Sequence, residues 1–333
     1  MRAVNLSIIL ILSLSSPGFS QKPFLMPVST YSIVARDPVT GEIGVAVQSH
    51  YFSVGSVVPW AEAGVGAVAT QAQGDPSYGP LGLALMQAGR SAPEALTALV
   101  STDAEKDVRQ VAMIDAQGRV AAHTGNKAIA EAGHKVGKEY SVQANLMERP
   151  TVWDAMATAY ETSKGDLAER LLRALEAAEA EGGDIRGRQS AALIVVSATS
   201  TGRPWEGRLF DLRVEDDPNP VAELRRLVQL RRAYRKLGEA RRVARHDPAK
   251  ALAAAVEATT LVPDEATNGE IAFWIGMGVL GTGRVEDAIP YLARAYRQDP
   301  RWAEVIARLP AAGLLPGDKS LVEKLMVAMK EGQ

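Results

Sequence analysis

The stretch that decides the fold is Thr30-Tyr31-Ser32-Ile33-Val34-Ala35-Arg36-Asp37, followed past Pro38-Val39-Thr40 by Gly41-Glu42-Ile43-Gly44-Val45-Ala46-Val47-Gln48-Ser49-His50. Two runs rich in β-branched residues flank a turn that carries proline and glycine, which predicts a β-hairpin. Working outward, residues 64–71 read as a further strand, and 78–88 and 91–100 as helices. The second helix opens with a capping box, Ser91 as N-cap and Glu94 three residues on. Residues 108–114 and 119–123 form a second hairpin around Asp115-Ala116-Gln117-Gly118, and 139–145 is another strand. Helices follow at 152–162 and 166–181. The latter sets Leu167, Leu171, Leu172, Leu175 and Ala178 on one face and stops at Gly182-Gly183. Strands at 191–197 and 208–214 close the set. Hairpins, a helical pair and more strands predict an antiparallel α+β protein built in layers. The pattern alone leaves several layered α+β folds open.

A strand–turn–strand unit led by threonine is similar to the start of the N-terminal-nucleophile (Ntn) hydrolases. There the threonine hydroxyl attacks an amide carbonyl and the threonine's own α-amine is the base. A free α-amine has a pKa of about 7.7–8.0, so it works near neutral pH without tuning. The wording is more specific than the hairpin. The run from Ser32 to Asp37, Gly44-Val45-Ala46-Val47-Gln48-Ser49, Val57-Val58-Pro59-Trp60-Ala61 and Gly64-Val65-Gly66-Ala67-Val68-Ala69-Thr70-Gln71-Ala72 resemble the DUF1028 family. So do His123-Thr124-Gly125, Tyr140-Ser141-Val142-Gln143, Gly182-Gly183-Asp184, Arg186-Gly187 and Gln189-Ser190, in the expected order over residues 30–215. The resemblance implies an Ntn-type αββα sandwich of two antiparallel sheets. It further implies an amide- or peptide-bond hydrolase with Thr30 as its autoprocessed nucleophile.

At 333 residues the chain has room for a sizeable core and two domains. A formal net charge of −2 gives no global pull on nucleic acid. With no cysteine, disulfides, thiolate nucleophiles and cysteine zinc sites are excluded, as is a lipoprotein anchor. The four histidines, His50, His123, His134 and His246, include no i, i+4 pair, so neither a catalytic metal nor another cofactor is expected.

Residues 1–20 read as a secretory signal peptide: Arg2, the apolar run 8–14, and Gly18 and Ser20 at −3 and −1. The apolar run is well short of the ~20 residues of a membrane span, although an uncleaved anchor is the alternative. Residues 21–29 are an extended leader, and the expected location is secreted or periplasmic. The expected first domain is 30–217, closed by the breaker cluster Asp216-Asp217-Pro218-Asn219-Pro220. Residues 221–333 read as helix throughout. Ala251, Ala258 and Pro263 recur 37 residues later as Ala288, Ala295 and Pro300, with Gly276 and Gly283 between. The spacing resembles a short tetratricopeptide (TPR) module, with an unrelated helical bundle as the alternative. A TPR-like tail implies a docked protein partner or a second copy of the chain. Three motifs are decoys. Ser77, in Gly74-Asp75-Pro76-Ser77-Tyr78-Gly79, is similar to a nucleophile elbow but has the wrong glycine spacing and reads as the cap of the helix that follows. The GxGxxG at 276–281 lies in a helical stretch without a preceding strand. The nine Lys and Arg residues between Arg225 and Arg245 read as a solvated helix face.

Thr30 is the expected nucleophile. The plain alternative is a threonine that merely starts a strand. Nine residues would still precede it after a cut at Ser20, so its amine needs a second cut, after Ser29. Ser32 shares the Thr30 face of the strand. Gln48, Ser49 and His50 end the facing strand, where Ntn hydrolases place groups that position the nucleophile. The aspartate–lysine pair of proteasome-like members is not matched there. Ser49 and Asn145 are expected in the catalytic group, with Asn145 as an amide donor. His50 is either a proton carrier or a solvent-facing strand end. His123 and Thr124 are placed at the substrate, with the amides after Thr124 as an oxyanion nest or, as the plain alternative, as ordinary turn chemistry. Asp184 and Arg186 either hold a substrate amine or carboxylate or form an ion pair within their loop. The function classes carried forward are an exported hydrolase, a binding protein that keeps the Ntn fold without turnover, and an interaction scaffold centred on the helical tail.

Overall fold

The computed structural model describes residues 29–203, 205–244 and 246–331. The expected signal peptide and all of the leader but Ser29 lie outside the described residues. The strands are β1 (Thr30–Arg36), β2 (Ile43–Ser49), β3 (Pro59–Glu62), β4 (Gly66–Ala72), β5 (Arg109–Asp115), β6 (Val120–Thr124), β7 (Gly133–Gly137), β8 (Tyr140–Asn145), β9 (Ser190–Val196) and β10 (Arg208–Val214). The helices are α1 (Tyr78–Gln87), α2 (Ala92–Thr102), α3 (Val152–Thr162), α4 (Leu167–Ala180), α5 (Pro220–Val243), α6 (Pro248–Leu261), α7 (Glu270–Leu280), α8 (Val285–Gln298), α9 (Trp302–Arg308) and α10 (Lys319–Glu331). None of these helices is long and apolar enough to cross a membrane.

The strands form two antiparallel sheets, ordered β10-β9-β2-β1-β8-β7 and β3-β4-β5-β6. The protein is α+β with an all-helical C-terminal region. Strand alternation assigns each face. Tyr31, Ile33 and Ala35 of β1 face α3 and α4 in one core with Leu171, Leu172 and Leu175. Val34, Val45 and Val47 face the second sheet and meet Ala67, Ala69 and Ile114. Val68, Val111 and Met113 turn outward to α1 and α2. The order of layers is therefore helices, sheet, sheet, helices. Two strands escape a sequence reading: β3 is short and starts at proline, and β7 exposes most of its residues.

The first hairpin is held by its turn. Gly41 sits at φ 73°, where a side chain is strained. Asp37 accepts hydrogen bonds from the amides of Val39 at 2.7 Å and Thr40 at 3.0 Å, and from Arg170 of α4 at 2.5 Å. Burial pushes the Asp37 pKa up, but the amides and the guanidinium outweigh it and hold the carboxyl below its usual range. A carboxyl with a depressed folded pKa stabilises above its unfolded pKa of about 3.9 and loses that contribution as pH falls through the folded value. The expected result is that Asp37→Asn lowers the urea midpoint at pH 7. It should also flatten the loss of stability between pH 5 and 3. An acid limb as steep as wild type would show that Asp37 carries no such linkage.

Helix α5 changes the expected division of the chain. Its first half, Val221, Leu224 and Val228, belongs to the core between the six-stranded sheet and α4, while Ala233, Leu237 and Ala240 belong to the C-terminal core. The breaker cluster before it marks a turn and not the edge of a core. The basic run along α5 is only partly solvated. Arg225 pairs with Glu169 at 3.0 Å and with Glu176, and Arg232 pairs with Asp166 at 2.5 Å and with Glu169 at 3.4 Å. Arg231 donates to the Leu209 carbonyl at 3.0 Å, and Arg235 lies over the Phe210 ring. Ending the chain at Asp217 therefore exposes the surface that Val221, Leu224 and Val228 cover, at about 2 kcal/mol each. About 6 kcal/mol is comparable with the whole stability of a domain. A chain ending at Asp217 is expected to lose cooperative urea unfolding, whereas one ending at Arg232 keeps it. Equal midpoints for the two would overturn this assignment.

In the C-terminal region, Ala251 and Ala258 of α6 and Ala288 and Ala295 of α8 are all buried. Pro263 and Pro300 follow the two helix ends, so the recurring residues fall on two successive helix pairs, α5/α6 and α7/α8. Within the GxGxxG decoy, Gly276 lies in α7 against the Leu292 side chain and the Ala288 carbonyl, a helix–helix contact.

Candidate functional site

Thr30 opens β1 between two neighbours. It is in register with Ser49 of β2 on one side and Asn145 of β8 on the other. The position is central in the six-stranded sheet, and Ser29, Thr30, Ser49 and Asn145 are all fully buried. Alternation puts Thr30 on the face of Ser32, toward the second sheet.

That face is a polar layer between two apolar cores. The Ser32 hydroxyl donates to Gln71 Oε1 at 2.6 Å, and Gln143 Nε2 donates to Ser32 Oγ at 2.5 Å. Gln71 Nε2 donates to the Thr30 carbonyl at 3.1 Å and to Gln110 Oε1 at 2.7 Å. Asn145 Nδ2 donates to the same two acceptors, at 3.4 and 3.0 Å. Gln110 Nε2 reaches the Ala144 carbonyl at 2.9 Å, the Gly133 carbonyl at 3.1 Å and Thr124 Oγ1 at 2.9 Å. Buried amides that satisfy one another fix a geometry, because each unmade bond in that setting costs about 1–3 kcal/mol. Gln71, Gln110 and Gln143 were not singled out from the sequence. The available signal was a polar residue on the inward face of an otherwise apolar buried strand, as in Val68-Ala69-Thr70-Gln71-Ala72.

The Ser29 carbonyl, one atom group upstream, lies between two donors. Ser49 Oγ donates to it in a short hydrogen bond, and Arg186 Nη2 donates at 3.0 Å. Arg186 is aimed by Asp184, which receives its Nη2 at 2.7 Å, its Nε at 3.1 Å and its backbone amide at 2.9 Å. Asp184 is itself buried and accepts the His50 amide at 3.1 Å. The loop that carries both is tied to the segment after β8: Glu148 N–H donates to the Gly183 carbonyl at 2.9 Å, and Ile185 N–H to that of Leu146 at 3.2 Å. Asp184 and Arg186 are thus an ion pair, and that pair presents a guanidinium to the peptide bond before Thr30.

Other expected positions fall elsewhere. Gln48 points the opposite way, beside Tyr31 on the helix side of the sheet, with both amide atoms buried and unpartnered. Burial first, and then the charge of nearby Glu179, raise the Tyr31 hydroxyl pKa well above its ordinary value. His50 is exposed at the strand end, its ring near the Arg188 carbonyl at 3.4 Å. His123 pairs with Val111, so it faces the α2 side, where its Nε2 bonds the Lys106 carbonyl at 2.8 Å. The expected oxyanion nest after Thr124 does not form. The Gly125, Lys127 and Ala128 amides are spent on the carbonyls of Arg109, Asp107 and Gly125. Thr124 instead bonds His134 Nδ1 at 2.8 Å, and burial followed by the His123 charge lowers the His134 pKa. Ser77 sits at the N-cap of α1, although its side chain makes no cap bond. Among the described residues no group of three or more His, Asp or Glu is placed to hold a metal ion.

A geometry in which Ser49 and Arg186 hold the Ser29 carbonyl, while Asn145 and Gln71 hold the next carbonyl, that of Thr30, can polarise the peptide bond before a strand-initial threonine. No curated protein matches the chain. The crystal structure of protein SPO2555 from Silicibacter pomeroyi, assigned to DUF1028, is similar. It is 32% identical over 60% of this chain and 85% of its own, with a TM-score of 0.55. The DUF1028 model, described as a family of unknown function, matches residues 30–224, so its first residue is the threonine that opens β1 and its last falls inside α5. A match over more than half of the chain, together with this relative, makes the chain a member of the DUF1028 family.

Proposed function

We propose that this chain is an exported Ntn-type hydrolase that cuts its own Ser29–Thr30 bond and then cleaves amide or peptide-like bonds with the freed Thr30. The observation that carries the reading is the Ser29 carbonyl, clamped by Ser49 Oγ and Arg186 Nη2 next to a strand-initial threonine. Attack of Thr30 Oγ on the Ser29 carbonyl carbon puts negative charge on an oxygen that already has two donors. The C–N bond then breaks, and the hydroxyl proton ends on the Thr30 nitrogen. Water hydrolyses the resulting ester, releasing Ser29 as a carboxylate and leaving Thr30 with a free amine. In later turnovers that amine is the base. Gln71 and Asn145 hold the Thr30 carbonyl and keep the residue in place. The layered sandwich, with its first strand in the middle of one sheet, fits this use.

The α5–α8 helix pairs support a TPR-like tail. Helices α5, α6 and α7 line an apolar groove of about 1070 Å³, with Leu237, Leu252, Val256 and Trp274 on its walls, suited to a protein segment. A second reading, a binding protein without turnover, draws on the neutral carboxamides of Gln71, Gln110 and Asn145 that are linked beside the Thr30 carbonyl. The N-terminus of the protein recovered from the exported fraction decides between them. A chain starting at Thr30 supports the hydrolase, and one starting at Gln21 leaves the binding protein.

A further inference from the structure

The first acyl group that Thr30 takes is the chain's own Ser29, and the surroundings of Ser29 bear on which acyl groups can follow. Ser29 is fully buried. The two donors to its carbonyl, Ser49 and Arg186, are themselves held in place by further bonds. Ser49 belongs to a strand paired on both sides, with Thr30 and with Ser190. Arg186 is fixed by three bonds to Asp184, and Asp184 by the His50 amide. Close-packed surroundings of this kind do not stretch for a larger side chain. The Ser29 hydroxyl has no hydrogen-bond partner there, so the position rewards small size and not the hydroxyl.

The same position governs turnover. Both reactions place a carbonyl carbon within reach of one hydroxyl and develop charge on one oxygen. Donors fixed on Ser49 and Arg186 serve that oxygen only where the Ser29 oxygen now lies. The acyl substituent then falls where Cα and Cβ of Ser29 are.

We propose that Thr30 acts on amides whose acyl residue has a small side chain, glycyl, alanyl or seryl, and rejects branched and aromatic ones. The proposal rests on the hydrolase reading above. In it the Ser49–Arg186 clamp sets where the carbonyl lies, and the packing around Ser29 sets the size limit.

The experiment follows self-cleavage of the full precursor by intact mass for wild type, Ser29→Ala and Ser29→Leu, with thermal unfolding as the check on folding. The expected result is that Ser29→Ala is cut at least as fast as wild type. Ser29→Leu should be cut about 10- to 100-fold more slowly, the range that overpacking a rigid site brings. If Ser29→Leu fails to fold, the mature wild-type enzyme decides: alanyl-4-nitroanilide should exceed leucyl-4-nitroanilide in kcat/KM by a similar factor. A wild type that is cut while Ser29→Leu is cut equally fast overturns the size limit and leaves the hydrolase reading standing. Leucyl amide hydrolysed as well as alanyl amide does the same. A wild type that is never cut removes the hydrolase reading, and this proposal with it.

Discussion

Thr30→Ala is expected to abolish cleavage of the Ser29–Thr30 bond, while Thr30→Ser keeps it. The alanine side chain has no atom that can attack the Ser29 carbonyl. Nothing else among the groups bonded to that carbonyl is placed as a substitute, because Ser49 and Arg186 act on its oxygen. Serine keeps the hydroxyl and loses only a methyl, and Gln71 and Asn145 still hold the carbonyl of the residue. Loss of a nucleophile usually removes nearly all of the chemical step. Intact mass over a day of incubation reads the result. An alanine variant that is cut between Ser29 and Thr30 would show that another group, or another protein, does the cutting.

Arg186→Ala should slow the same cleavage by about 100- to 1000-fold, the cost of removing one donor from a developing oxyanion. The guanidinium is anchored before the reaction begins. Asp184 takes Nη2, Nε and the backbone amide of the same residue, so the donor meets the charge without reorganising. Arg186→Lys keeps the charge but cannot keep both the bidentate hold on Asp184 and the reach to Ser29, so only partial recovery is expected. Asp184 acts through Arg186. Asp184→Asn should lower the rate by less than the arginine deletion, and combining the two should add little to the deletion alone. Rates are compared among variants whose thermal midpoints match wild type. An Arg186→Ala precursor that matures at the wild-type rate would remove the oxyanion role.

The parts legible in the sequence are those where local rules and packing agree. The opening hairpin could be read because β-branched runs flank a turn whose Asp37 caps its own amides. The α2 start could be read because Ser91 and Glu94 exchange bonds as a capping box does. The pairing of Thr30 with Ser49 follows from hairpin register. Other parts depend on distant partners. Whether Arg186 turns toward Ser29 is set by Asp184 and by the pairing of its loop with residues 146–148. Alternation places Gln48 opposite to Ser49, a consequence legible in principle, whereas the Gly125, Lys127 and Ala128 amides were lost to the carbonyls of Arg109 at the start of β5, of Asp107 just before it, and of Gly125 itself. The boundary after Asp217 misled because a proline-rich turn signals a change of direction, while the core across it is continuous through α5.

That continuity sets a timetable for biogenesis. The sheet neighbour of β2 on its far side, β9, and the arginine that holds the scissile carbonyl lie more than a hundred residues after the bond to be cut. The ridge that seals their core ends only at Val228. A ribosome or a translocation pore releases the chain from its N-terminus, so the peptide bond emerges long before the groups that activate it. On the hydrolase reading proposed above, the residues before Thr30 would therefore stay attached while the chain emerges, and self-cleavage would wait until about two thirds of the protein is out. Contacts of such long sequence separation are slow to close. On that reading the cut would be a late event, triggered by completion of the fold.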